Sequence, residues 1–131
     1  MKLIQFNTFG PVTVVETPSF LRDAKKMMSN DEREVLINFL AYNPNAGVVI
    51  KGTGGVRKIR WNRDDSGKSG GFRIIYFFHS GDIPLFALNV FAKNEKENIS
   101  QAERNELKNL TSMLIKNYKS KEQVNEGKQY N

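Results

Sequence analysis

The order of apolar and polar positions along this chain changes period several times, and each change marks an element. Residues 12–16, VTVVE, are rich in β-branched side chains and predict a strand, with LIQF before Gly10-Pro11 as a short extra strand or an extension of it. Thr17 followed by Pro18 makes an N-cap and N1 pair. Phe20, Ala24 and Met27 or Met28 then recur at helical spacing, which predicts a short helix over residues 18–28 with Lys25 and Lys26 near its C-terminal end. Ser29 and Glu32 have the spacing of a capping box, and Val35, Leu36, Phe39 and Leu40 form an apolar stripe up to about Tyr42. Pro44 stops it. The pair reads as a helical hairpin whose joint apolar face lies on a sheet.

From Gly47 the helical period is lost, and VVIK, GTGG and VRKIRW follow, with a strand beginning around Val56. Alternation puts Val56, Lys58 and Arg60 on one face and Arg57, Ile59 and Trp61 on the other. A polar loop, NRDDSGKSGG, leads to FRIIYFFH, and the turn HSGD leads to IPLFALNVFAK. These last two strands are apolar on both faces, which predicts central places in the sheet and an antiparallel meander whose basic ends converge. Ser100 and Glu103 make a second capping box, and Leu107, Leu110, Leu114 and Tyr118 predict an amphipathic helix over 101–119. The tail at 120–131 has no apolar period and is expected to fray or be disordered. The expectation is therefore one domain over 1–119, with 1–10 as an extra amino-terminal segment.

Composition narrows the chemistry. The 131 residues include no cysteine and one histidine, His79, so disulfides, thiolate nucleophiles, Cys/His zinc sites and serine-histidine machinery are excluded or unsupported. His79 sits in the turn before Ser80-Gly81-Asp82, where a solvated histidine is ordinary. Polar residues interrupt the first fifteen positions, so no signal peptide is expected. The turn HSGDIP divides the longest weakly charged stretch into hairpin strands, so neither is a membrane span expected. A cytosolic protein with no membrane partner follows.

Charge is concentrated. Lys51, Arg57, Lys58, Arg60, Arg63, Lys68 and Arg73 face only Asp64 and Asp65 within residues 51–76, so this segment carries +5 of the chain's formal +6. Such a local excess, with glycines and aromatics among the cations, predicts a surface for a polyanion. Gly67-Lys68-Ser69 imitates a P-loop, but that pattern needs a glycine where Asn62 stands, and the context is strand-loop-strand. The loop reads instead as a basic hairpin loop able to close over a backbone phosphate, or as an ordinary solvated loop. Trp61 at the end of its strand is a candidate to stack on an unpaired base, whereas Tyr76 shares a face with Ile74 and Phe78 and reads as core.

Three ordered motifs, GTGGVRKIR, GKSGGFRIIYFF and FALNVFAKNEKENIS ahead of a carboxy-terminal helix, resemble the RelE/ParE superfamily of bacterial toxin–antitoxin toxins, particularly its HigB-like branch. The resemblance spans roughly residues 12–118. It implies an α+β, RelE-like fold in which a small twisted antiparallel sheet carries two amino-terminal helices. It also implies cleavage of mRNA in the ribosomal A site, and a tightly bound cognate antitoxin, expected to be a helix-turn-helix, HigA-like protein. The family's basic dyad matches Lys58 and Arg60, its arginine in the GYR-type motif matches Arg73, and its basic residue ending the last strand matches Lys93. Two departures stand out: Asn94 follows that lysine where RelE has arginine, and the tyrosine that RelE carries a few residues later is absent, with Ile99 and Ser100 in that region. The longer basic loop, with Arg63 and Lys68, is a candidate source of the missing group.

These residues permit metal-free and cofactor-free RNA cleavage, in which the 2′-oxygen attacks the adjacent phosphorus. Lys58, between Arg57 and Arg60 along the chain, is the candidate for base or electrostatic work. Arg60 and Arg73 would hold the phosphate, and Lys93 or Lys68 would serve the leaving group or a flanking phosphate; Arg57, Arg63, Lys68 and Trp61 are candidate RNA contacts. Two other readings stay open at this point. One is a ParE-like toxin that binds DNA gyrase and cuts nothing, and the other is a basic RNA-binding domain without catalysis.

Overall fold

The structure is a computed structural model that describes residues 10–62, 71–92 and 98–129, as backbone alone beyond Lys119. The expected LIQF strand lies outside the described residues. Strand β1 (Val14–Glu16) runs into helix α1 (Pro18–Met27) and helix α2 (Asn30–Tyr42). Strands β2 (Val48–Val49), β3 (Val56–Trp61), β4 (Phe72–Phe77) and β5 (Leu85–Ala92) follow, and helix α3 (Gln101–Gln129) ends the described chain.

The caps form as their residue types dictate. The Thr17 hydroxyl accepts from the Phe20 N–H at 3.2 Å, and Ser29 and Glu32 exchange both bonds of a capping box. Ser100 and Glu103 do the same at the start of α3. Helix α3 runs past the predicted limit at 119 to Gln129. Its last stretch, rich in Lys, Glu and Gln, favours helix by propensity, which apolar periodicity does not register.

The five strands lie in the order β1-β5-β4-β3-β2. Strands β2 to β5 form the expected antiparallel meander, but β1 pairs with β5 in parallel, with Val14 opposite Leu85. The sheet is therefore mixed. A parallel pair needs a long crossover, which here is everything from α1 to β4. Thr17 seals the corner: its N–H donates to the Ala87 carbonyl at 3.1 Å and its hydroxyl donates to the same oxygen at 2.8 Å. An ion pair between Arg33 and Glu16 ties α2 to β1.

Each face of the sheet has its own core. Phe20, Leu36 and Leu40 from the first two helices bury Ile74, Tyr76, Leu85 and Ala87 on one side. On the other, Leu107, Leu110 and Leu114 of α3 pack on Val56, Ile75, Phe77 and Phe86. All six residues of β4 are buried, as its two-sided apolar pattern requires. Strand β5 carries a bulge, because Ile75 faces Asn89 while Tyr76 faces Ala87, leaving Leu88 as the extra residue. The Asp23 carboxylate holds this irregularity by accepting from the Val90 N–H at 3.0 Å and the Asn89 amide at 3.3 Å. Among the described residues no helix is long and apolar enough to cross a membrane.

Candidate nucleic-acid interface

The glycine-rich turn before β3 sets the phase of the strand that follows. Thr53 closes it: its hydroxyl donates to the Ile50 carbonyl at 2.7 Å and accepts from the Val56 N–H at 3.0 Å. Gly54 has φ +79°, and a Cβ there would stand 2.4 Å from the Thr111 hydroxyl oxygen. That hydroxyl lies 3.0 Å from the Thr53 carbonyl, so the turn docks directly on α3. Arg104 adds a bond to the Lys51 carbonyl at 3.3 Å. With Val56 thereby committed to the core under α3, alternation places Lys58 and Arg60 on the same face, beyond the part of it that the helix covers.

Strand β4 supplies the third cation. Gly71 enters it with φ +51°, and a Cβ would meet the Trp61 carbonyl oxygen at 2.3 Å, so the chain passes too close here for any side chain. Two residues on, Arg73 stands opposite Arg60 across the strands and opposite Phe91 on β5. Lys58 lies between Val48 of the edge strand and Ile75 of β4. Together Lys58, Arg60 and Arg73 line one groove of about 480 Å³, whose remaining wall includes Ala46, Val48 and Asn98. Arg60 is exposed, Lys58 half-buried, and Arg73 only 7% exposed. Three cations converging on a water-accessible groove raise its potential and suit it to an anion with several oxygens.

The structure does not bring every candidate to this groove. Arg57 points to the opposite face, where its Nη1 donates to the Gly47 carbonyl at 2.7 Å and the Asn45 carbonyl at 3.2 Å. Trp61 shares that face and packs on Phe39 of α2, ring centroids 5.3 Å apart at 52°. Their positions follow from the same alternation that gathers Lys58 and Arg60. Arg57 braces the α2–β2 connection from below the sheet, and Trp61 closes the edge of the core under α2. Arg63, Lys68 and Lys93 lie outside the described residues.

Tyr76 completes the support of the site from within. Its ring is fully buried, and its hydroxyl donates to the Pro44 carbonyl and accepts from the Gly47 N–H, both at 2.8 Å. Burial pushes its pKa above the ordinary value, against the smaller opposing effects of the Gly47 bond and of Arg57. The connection that carries Ala46 and Val48 to the groove is therefore anchored from both Tyr76 and Arg57. Asn98, which sequence patterning did not single out, stands in a short polar segment with no period to reveal its direction. Among the described residues no group of three or more His, Cys, Asp or Glu side chains is placed to hold a metal ion.

Comparison with known proteins adds two findings. A family model described as the RelE toxin of the RelE / RelB toxin-antitoxin system matches residues 14–129. Among solved structures, a mutant of the E. coli toxin RelE in the free state is similar at 18% sequence identity, covering 66% of this chain and 88% of that one with a TM-score of 0.48.

Proposed function

The chain belongs to the RelE toxin family, and from that premise we propose that it is a ribosome-dependent mRNA endonuclease that stops translation until its antitoxin binds. The observation that carries this reading is the convergence of Lys58, Arg60 and Arg73 on one groove. Three cations lining one groove suit the negative charge that grows on a phosphate during its transfer, which favours this reading over gyrase binding.

In the proposed reaction the RNA 2′-oxygen forms a bond to the adjacent phosphorus as the bond from phosphorus to the 5′-oxygen breaks, leaving a 2′,3′-cyclic phosphate. The 2′-hydroxyl gives up its proton and the departing 5′-oxygen gains one. Arg60 and Arg73 offer planar donor forks to the non-bridging oxygens, whose charge grows towards the transition state. Lys58, set between them and the aliphatic edge strand, takes the base or electrostatic role. Lys93 is assigned the leaving group or a flanking phosphate, and Arg63 and Lys68 are assigned backbone contacts. No step requires a metal ion or organic cofactor.

The partner side of the proposal is a helix-turn-helix, HigA-like antitoxin whose acidic or apolar segment covers the groove, with the protein acting in the cytosol on the A-site codon. Residues 1–119 form the toxin domain in this reading. Toeprinting of a translated message tests it. The parent protein should give codon-phased cuts, and Lys58→Ala and Arg73→Ala should fold yet lose about two to four orders of magnitude in cleavage. A 2′-deoxy nucleotide at the scissile position should abolish the cut. Undiminished cutting by both variants would remove the residue assignment, and absent cuts with inhibited supercoiling would favour the gyrase reading.

A further inference from the structure

The segment between β5 and α3 sends three consecutive side chains to three destinations. Ile99 packs into the core beneath α3, and the Ser100 hydroxyl accepts from the Glu103 N–H at 3.1 Å as a helix cap. Asn98 is exposed and lines the groove that holds Lys58, Arg60 and Arg73. Core and cap thus account for two of the three. The third faces the cations.

Its chemistry differs from theirs in kind. Lysine and arginine side chains only donate hydrogen bonds, so they grip phosphate oxygens without regard to which base is attached. An amide presents a donor group and an acceptor together, which matches the mixed edge of a nucleobase. Among the described residues that line the groove, Asn98 alone supplies a side-chain acceptor, since Ala46, Val48 and Ile59 are aliphatic. Val48 is 73% exposed and offers an apolar surface for the flat face of the same base. Single-stranded RNA is read in this way, by contact with a splayed base on its face and hydrogen bonds along its edge.

We propose that Asn98 hydrogen-bonds one base of the bound RNA and gives the groove its sequence preference, while Lys58, Arg60 and Arg73 hold the backbone. The substrate class is single-stranded RNA, and the proposal rests on the nuclease reading above for its consequence in codon choice. It concerns specificity, because an amide is no proton donor for a leaving oxygen at neutral pH.

The test uses the full-length protein and four short RNA oligonucleotides that differ in a single base, read by fluorescence anisotropy as salt is varied. The parent should prefer one base by several-fold to about a hundredfold. Asn98→Ala should level that preference with the salt slope unchanged, and Asn98→Asp should re-order it, because the acceptor is kept and the donors are lost. Toeprinting should show Asn98→Ala still cutting, at a broader set of codons. The proposal is overturned if the parent binds all four alike, if Asn98→Ala keeps the parent's preference, or if it weakens all four equally. Should the parent cut no translated message, the nuclease reading fails on its own, and the binding series still decides the role of Asn98.

Discussion

Arg60 and Arg73 stand directly opposite each other on β3 and β4, the first exposed and the second 7% exposed. Like charges at facing positions of an antiparallel pair oppose folding by roughly 0.2–1 kcal/mol. The arrangement is reasonable for a surface that meets a polyanion. Arg60→Thr, which suits a strand and removes one charge, should therefore raise stability by about that amount in urea unfolding. The gain should shrink as salt is added. RNA affinity should fall in the same variant, with the salt slope reduced by about 0.7 for the lost phosphate contact. A variant less stable than the parent at low salt would show that Arg60 contributes more to the fold than it costs.

A second prediction concerns the turn that aims β3. Gly54→Ala places a Cβ 2.4 Å from the Thr111 hydroxyl at φ +79°. Left-handed backbone alone costs an L-residue roughly 1–2 kcal/mol, and the steric conflict adds to it. Thr111→Ala removes the hydroxyl that bonds the Thr53 carbonyl, for about 1–3 kcal/mol. Because the second change also clears space for the first, the double variant should be less destabilised than the two losses added together, by at least about 0.5 kcal/mol. Strict additivity in thermal or chemical unfolding would mean that Thr111 does not confine Gly54.

Tyr76 makes a prediction that depends on pH. Its raised folded-state pKa means that the neutral phenol is favoured in the native protein, so this contribution is fully present below about pH 10 and is lost as pH rises through the higher folded value. Tyr76→Phe should cost about 1–3 kcal/mol at neutral pH, because the Gly47 N–H and Pro44 carbonyl lose a buried partner. The gap between parent and variant should narrow in strongly alkaline solution. A gap that stays constant from pH 8 to 11 would contradict the linkage. The loosened connection should also disturb Val48, so RNA binding should weaken with no charge removed.

Much of the architecture was legible in local pattern. Thr17-Pro18, Ser29 with Glu32, and Ser100 with Glu103 marked helix starts because caps use neighbouring residues only. Period two in VRKIRW separated Lys58 and Arg60 from Arg57 and Trp61, and the structure keeps that division. The end of α3 was not legible, since helix propensity without an apolar stripe leaves no periodic signal. Neither was the bulge at Leu88, whose Asp23 partner is far away in sequence.

By itself, then, the sequence determined which residues are charged, which strand face each cation takes, and the motif resemblance that pointed to the toxin family. Those properties depend on composition and on spacing within a single element. Only the tertiary structure decided that β1 lies parallel to β5, that Arg57 serves the α2–β2 connection, and that Asn98 rather than Ile99 turns to the groove. The physical reason is common to all three. Each depends on a partner distant along the chain, a strand, a pair of carbonyls or a core to fill, and local periodicity carries no information about where such partners come to lie.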